Sequence, residues 1–170
     1  MITIRRMAPS EISRIDEIDR TEHITQDYTV ESGRLVLIDV DWHLGRWNTE
    51  KKIKAWTPIA DGWRNMWGAF DEDTLVGFSV YRAYLTNDTA QLALLHISHD
   101  YRRMGIGKQL ANRVIEKART DGAKRIYVTA GQSRATTEFY QKLGFKLAEE
   151  LNDELYELEP DDIHMILELI

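Results

Sequence analysis

The run Tyr101-Arg102-Arg103-Met104-Gly105-Ile106-Gly107-Lys108 stands between an apolar strand-like segment and a strongly periodic helical one, and that setting gives it a chemistry. Glycines lack a Cβ, so the chain there can pass close to a ligand. The first turn of a helix leaves several N–H groups unpaired beside the positive end of its dipole. Such a segment cradles an anion, and a phosphate or pyrophosphate fits. Two nucleotide loops are excluded by what is missing. A dinucleotide fingerprint starting at Gly105 needs glycine where Leu110 stands, and a Walker A loop ending in Gly107-Lys108 needs glycine at Arg102 and Ser or Thr at Gln109.

What remains is Arg102-x-x-Gly105-x-Gly107 following Leu94-Leu95-His96-Ile97-Ser98, and downstream a second run, Ser133-Arg134-Ala135-Thr136-Thr137-Glu138-Phe139-Tyr140-Gln141-Lys142-Leu143-Gly144-Phe145. Together these resemble the acetyl-CoA site of the Gcn5-related N-acetyltransferase (GNAT) family, whose downstream pattern is Asn-x-x-Ala-x-x-Leu-Tyr-x-Lys-x-Gly-Phe. Tyr140, Lys142, Gly144 and Phe145 agree. Phe139 replaces Leu, and Ser133 and Thr136 depart from the Asn and Ala. The similarity is good over roughly positions 65 to 147 and slight in the first 60 residues.

The resemblance implies a direct acetyl transfer from acetyl-CoA to an amine within a ternary complex, with no metal. In it, the backbone of Leu95 to Ile97 pairs with the pantetheine arm, amides from Arg103 through Met104, Gly105, Ile106 and Gly107 to Lys108 hold the pyrophosphate, and Arg102 and Ser133 border the cofactor. The other reading of Gly105 and Gly107 is plain helix-start glycines, and of Arg102 a surface arginine. Tyr140 is the candidate acid for the departing CoA thiolate, because a phenol with a pKa of about 10 stays protonated at neutral pH. Its other reading is a packing tyrosine.

The general base is open. An alkyl amine with a pKa of about 10.4 is neutral in only about one molecule in 2,500 at pH 7, so its deprotonation needs help. Positions where the family often carries glutamate hold Gln91 and Val128, neither of which is a base. His96, Glu17, Glu22 and His23 remain, with His96 as the site candidate; His99 reads as a loop residue. Tryptophans at 42, 47, 56, 63 and 67 crowd the segment that builds the acceptor pocket in this family. They form either aromatic walls for a cation, with carboxylates from Asp16 to Glu22, or a core or dimer contact.

These residues sit in a chain of 170, enough for a single domain over 1–170. A composition of 43% hydrophobic and 29% charged residues suits a soluble globular protein. No segment has the apolar length of a membrane span, and the first six residues have no signal core. The absence of cysteine excludes disulfides and a thiol acyl-enzyme and suits a reducing cytoplasm. A net charge of −6 argues against a nucleic-acid surface and for a small cationic acceptor, with a peptide amine as the alternative. The departures at Gln91, Val128, Ser133 and Thr136 also allow a CoA-binding sensor with a degraded site, and a homodimer is compatible with the sequence.

The periodicities predict a strand over residues 2–6, a helix opened by Pro9 with Ser10 as its cap, and a strand after Gly33. They continue with a short helix capped near Asn48 and a hairpin over 67–81. A strand follows over 90–98, then a helix from Ile106 to Asp121-Gly122, a strand at 126–128, a helix over 136–142 and a last strand over 163–167. Residues 20–31 give no decisive period. This order predicts an α+β fold, GNAT-like, with a mixed, mostly antiparallel central sheet flanked by helices on both faces.

Overall fold

The computed structural model describes residues 1–169. A seven-stranded sheet runs in the order β1-β4-β5-β6-β7-β9-β8. Its strands are β1 (Ile2–Met7), β4 (Met66–Asp71), β5 (Thr74–Arg82), β6 (Thr89–Ile97), β7 (Arg125–Ala130), β8 (Lys146–Leu147) and β9 (Ile163–Glu168). Every pairing is antiparallel except β6 with β7. The expected mixed, mostly antiparallel sheet is therefore present. A separate hairpin, β2 (Glu22–Glu31) with β3 (Arg34–Leu44), turns at Ser32-Gly33, both at positive φ.

Helices cover both faces. On one, α2 (Ile106–Thr120) lays Ile106, Leu110, Ala111, Val114 and Ala118 into a core shared with Val76, Leu92, Val128 and Phe145, the stripe that its sequence period anticipated. Tyr140 of α3 (Arg134–Lys142) joins the same core. On the other face, α1 (Thr49–Trp56), α4 (Asp153–Leu158) and a 3₁₀ segment at Pro9–Glu17 cover Met66, Phe70, Phe78, Leu94 and Tyr127.

Two local expectations change. The Pro9 segment is 3₁₀, and Ala8 is its N-cap, not Ser10. Alanine offers no capping oxygen, so the Glu11 carboxylate takes the Ala8 N–H at 2.8 Å instead. Residues 22–31 become a strand because β3 supplies their backbone partners. A bulge between Ile24 and Gln26 breaks the alternation that would have announced it. Asn48 does cap α1, accepting the Lys51 N–H at 2.9 Å. No helix among the described residues is long and apolar enough to cross a membrane.

Candidate active site

β6 ends in Leu95-His96-Ile97, makes a 3₁₀ turn at His99–Tyr101 and enters α2 through Gly105. Arg103 (φ 62°) and Gly105 (φ 80°) are both left-handed, which folds the loop around its own amides. None of the N–H groups from Arg103 to Lys108 meets a protein acceptor among the described residues; the first helical bond is Gln109 N–H to Gly105 O. Six successive backbone donors thus converge on a helix N-terminus with no capping side chain. A Cβ on Gly105 would meet nothing within 4 Å, so open space lies beside that backbone. At Gly107 the reason for glycine differs, since a Cβ would lie 3.2 Å from the Phe139 ring of α3. That glycine serves the close packing of α2 on α3.

The Arg102 side chain turns away from this cradle. It pairs with Glu22 at 2.6 Å and donates to Arg20 O and Ile97 O, pinning the root of the hairpin to the end of β6. Its contribution to the cradle is its backbone.

β6 and β7 pair only through Thr89↔Arg125, Ala90↔Ile126 and Gln91↔Tyr127, and then part. From Leu92 to Ile97 one edge of β6 has no strand partner, which leaves backbone groups free to pair with an extended ligand arm. At the last rung Gln91 is fully buried, its Oε1 accepting from Arg82 while its Nε2 finds no acceptor. Tyr140 lies beyond the opening, packed edge-on against Phe139 and Phe145. No protein group bonds its hydroxyl among the described residues, and burial together with the charge of Asp162 raises its pKa. The phenol stays protonated. Ser133 caps α3 by accepting the Thr136 N–H and also donates to Thr136 Oγ1, so its hydroxyl is spent within the helix start.

On the opposite face of the sheet His96 stacks on Trp56 (5.2 Å between centroids) and meets Trp47 edge-on (5.1 Å), with Phe78 alongside. Burial, then the charges of Arg20, Lys52 and Arg102, lower its pKa to about 3. His96 is a neutral but very weak base. The indole Nε1 of Trp47 is buried without an acceptor, while Arg20 lies over the Trp47 ring and Lys52 over that of Trp56. Four of the tryptophans, 47, 56, 63 and 67, are buried; Trp42 is the more exposed one and donates to Asp27.

The carboxylates from Asp16 to Glu22 are each already engaged within the chain. Asp16 accepts from Thr49, Glu17 binds Arg14 and the Leu75 N–H, Asp19 accepts the Thr21 N–H, and Glu22 holds Arg102. Glu17 and Glu22 are thereby unsuited as bases, and His23 sits exposed on the hairpin.

A residue absent from the sequence-based set stands out instead. Asp162 precedes β9, whose first residue Ile163 is registered with Ala130 at the end of β7. Burial, then the charges of Glu159 and Asp161, raise its pKa to about 7 despite Lys52. No hydrogen bond reaches its carboxylate among the described residues, and its charge is felt at Tyr140. In sequence it belongs to an acidic run that resembles solvated surface; only the fold shows which carboxylate turns inward.

The geometry matches proteins already known. A crystal structure of nourseothricin acetyltransferase superposes with a TM-score of 0.74 at 18% identity, over 98% of each chain. A Bacillus anthracis strain Ames protein described as a streptothricin acetyltransferase, in complex with acetyl coenzyme A, does so with 0.76 at 17% identity, over 100% of this chain and 99% of that one. In sequence, 102 residues are 29% identical to N-alpha-acetyltransferase 50 of Danio rerio, 58% of this chain and 61% of that protein, so the chain spans about three-fifths of that curated relative's length. The acetyltransferase (GNAT) family model matches residues 28–145, well over half of the chain, and covers the cradle, the parted strands and Tyr140. The chain belongs to the GNAT family of acetyltransferases.

Proposed function

We propose that this protein moves the acetyl group of acetyl-CoA onto an amine by direct attack in a ternary complex. The observation that carries this reading is the row of six unpartnered amides from Arg103 to Lys108 beside the free edge of β6. The amides suit the pyrophosphate, and the free edge suits the amide-bearing pantetheine arm. The amine nitrogen attacks the thioester carbonyl, the C–S bond breaks, the thiolate takes a proton from Tyr140, and the amine's proton passes to Asp162, directly or through water. Asp162 suits that role because its pKa of about 7 divides it between the two forms near neutral pH. Gln91, an amide, can orient a partner but accepts no proton.

The acceptor reading is a small amine received on the face of Trp47, Trp56 and His96. Aromatic walls and the Asp162 carboxylate favour a cation, while Arg20 and Lys52 favour a negative group elsewhere on the same acceptor. A protein α-amine is the second reading, motivated by the 29% identity over 102 residues to N-alpha-acetyltransferase 50. The test is CoA thiol release with products identified by mass, over diamines, aminoglycoside-like amines, streptothricin and N-terminal peptides. Acetylated small amines support the first reading; turnover confined to peptides replaces it with the second. Binding of acetyl-CoA without transfer to any amine would favour a CoA-binding sensor.

A further inference from the structure

At the open end of the hairpin three exposed metal-ligating side chains come together. His23 and His43 are directly opposed across β2 and β3, and Asp41 lies two residues before His43, on the same side of its strand. The imidazoles stack with centroids 4.2 Å apart and planes at 13°. His23 Nε2 donates to Asp41 Oδ1 at 2.7 Å. One ligand atom from each of the three lies within 4.8 Å of the others, and all three residues are exposed.

We infer that this cluster is a divalent-metal site of the borderline class, occupied best by Zn²⁺. Two imidazoles and a carboxylate form a donor set suited to that ion, which binds nitrogen and oxygen at about 2.0–2.1 Å and completes a tetrahedron with water. Tetrahedral ligands at that radius stand about 3.4 Å apart, so the His23–Asp41 pair at 2.7 Å opens slightly and atoms within 4.8 Å of one another close by at most about 1.4 Å, within reach of exposed rotamers. The proton on His23 Nε2 marks where the ion enters: the metal takes the place of that proton between imidazole and carboxylate.

The consequence is structural. An isolated two-stranded hairpin is marginal by itself. An ion joining β2 to β3 at the His23↔His43 rung clamps its open end, next to the bulge between Ile24 and Gln26 and one residue from the Glu22–Arg102 ion pair. His23 and His43 themselves line a cleft with Thr21, Glu22, Leu44 and His99. Glu22 is held by Arg102, and the His99 Nδ1–H by Thr21 O, so neither competes freely for the ion. Acetyl transfer proceeds without this ion; occupancy stiffens the segment that Arg102 ties to the cofactor loop.

The test titrates ZnCl₂ into the metal-free protein by calorimetry, with Co²⁺ as an optical probe. Expected are one ion per chain, tetrahedral Co²⁺ bands and slowed amide exchange confined to β2 and β3. His23→Ala and His43→Ala should each weaken binding about 10-fold or more. Retention of affinity in the double variant, or absence of binding to the folded wild type, overturns the site. Imidazole ¹⁵N shifts of His23 and His43 on zinc addition give an independent readout that needs no variant; unchanged shifts at saturating zinc also overturn it.

Discussion

In the proposed reaction Tyr140 and Asp162 divide the proton work between an acid held protonated by burial and a carboxylate held near neutrality by burial and two acidic neighbours. Tyr140→Phe should leave acetyl-CoA affinity nearly unchanged and lower turnover by about 10²- to 10⁴-fold, the usual worth of a positioned proton donor. Stopped-flow thiol release separates this from a packing role, which would lower stability and leave chemistry intact. Asp162→Asn should remove the rising limb near pH 7 from the kcat/KM profile. It should also raise the melting temperature at pH 8. The sign follows from linkage: a carboxylate whose folded pKa lies above its unfolded value of about 3.9 destabilises the fold progressively as pH climbs from about 4 to 7, and the amide escapes that cost. A wild-type limb surviving in Asp162→Asn would assign the base elsewhere. Tyr140 was legible because its neighbours Lys142, Gly144 and Phe145 form a spaced motif. Asp162 was not, because nothing distinguishes it in sequence from Glu159 or Asp161.

Among the elements, the loop leading into α2 was the most legible, since its glycines, its missing cap and the apolar period that follows are local properties. The two glycines nevertheless answer to different neighbours. Gly105 needs its left-handed backbone and opens on free space, whereas Gly107 makes room for Phe139. A bulky residue at 107 would therefore disturb α2 against α3 before it disturbed a ligand, and Gly105 is the cleaner probe. Of the hairpin, β3 was legible after Gly33 but β2 was not, because only Ile24 and Asp27 along it are buried and the bulge between Ile24 and Gln26 shifts what alternation there is. The tryptophans were legible as a cluster but not as a surface. Trp56 sits between the core and His96, so Trp56→Ala should cost about 3–5 kcal/mol of stability in denaturant unfolding, as expected for a large buried aromatic. A loss below about 1 kcal/mol would mean that the ring adds nothing to the core.

At the scale of the whole molecule, the architecture turns on a single event, the parting of β6 from β7 after Gln91. The parting leaves one strand edge unpaired in the middle of the sheet, with the cradle at one end, Tyr140 on one face and the aromatic cluster on the other. The order of strands and helices was legible in the apolar periods, and together with the family resemblance it gave the fold class. The gap was not legible, because it depends on where a parallel pairing stops. A ligand that fills it should stabilise the native state by mass action, by about 2.7 kcal/mol at 100 times its dissociation constant.

The central claim, that acetyl-CoA is held by the backbone of the Gly105 loop, is tested most directly by calorimetric titration of acetyl-CoA into the wild type and Gly105→Val, each verified as folded. The added side chain enters the open space beside the left-handed turn, so affinity should fall about 10-fold or more, with a modest stability loss of about 1–2 kcal/mol from the strained φ. Equal affinity in a folded Gly105→Val protein would contradict the account.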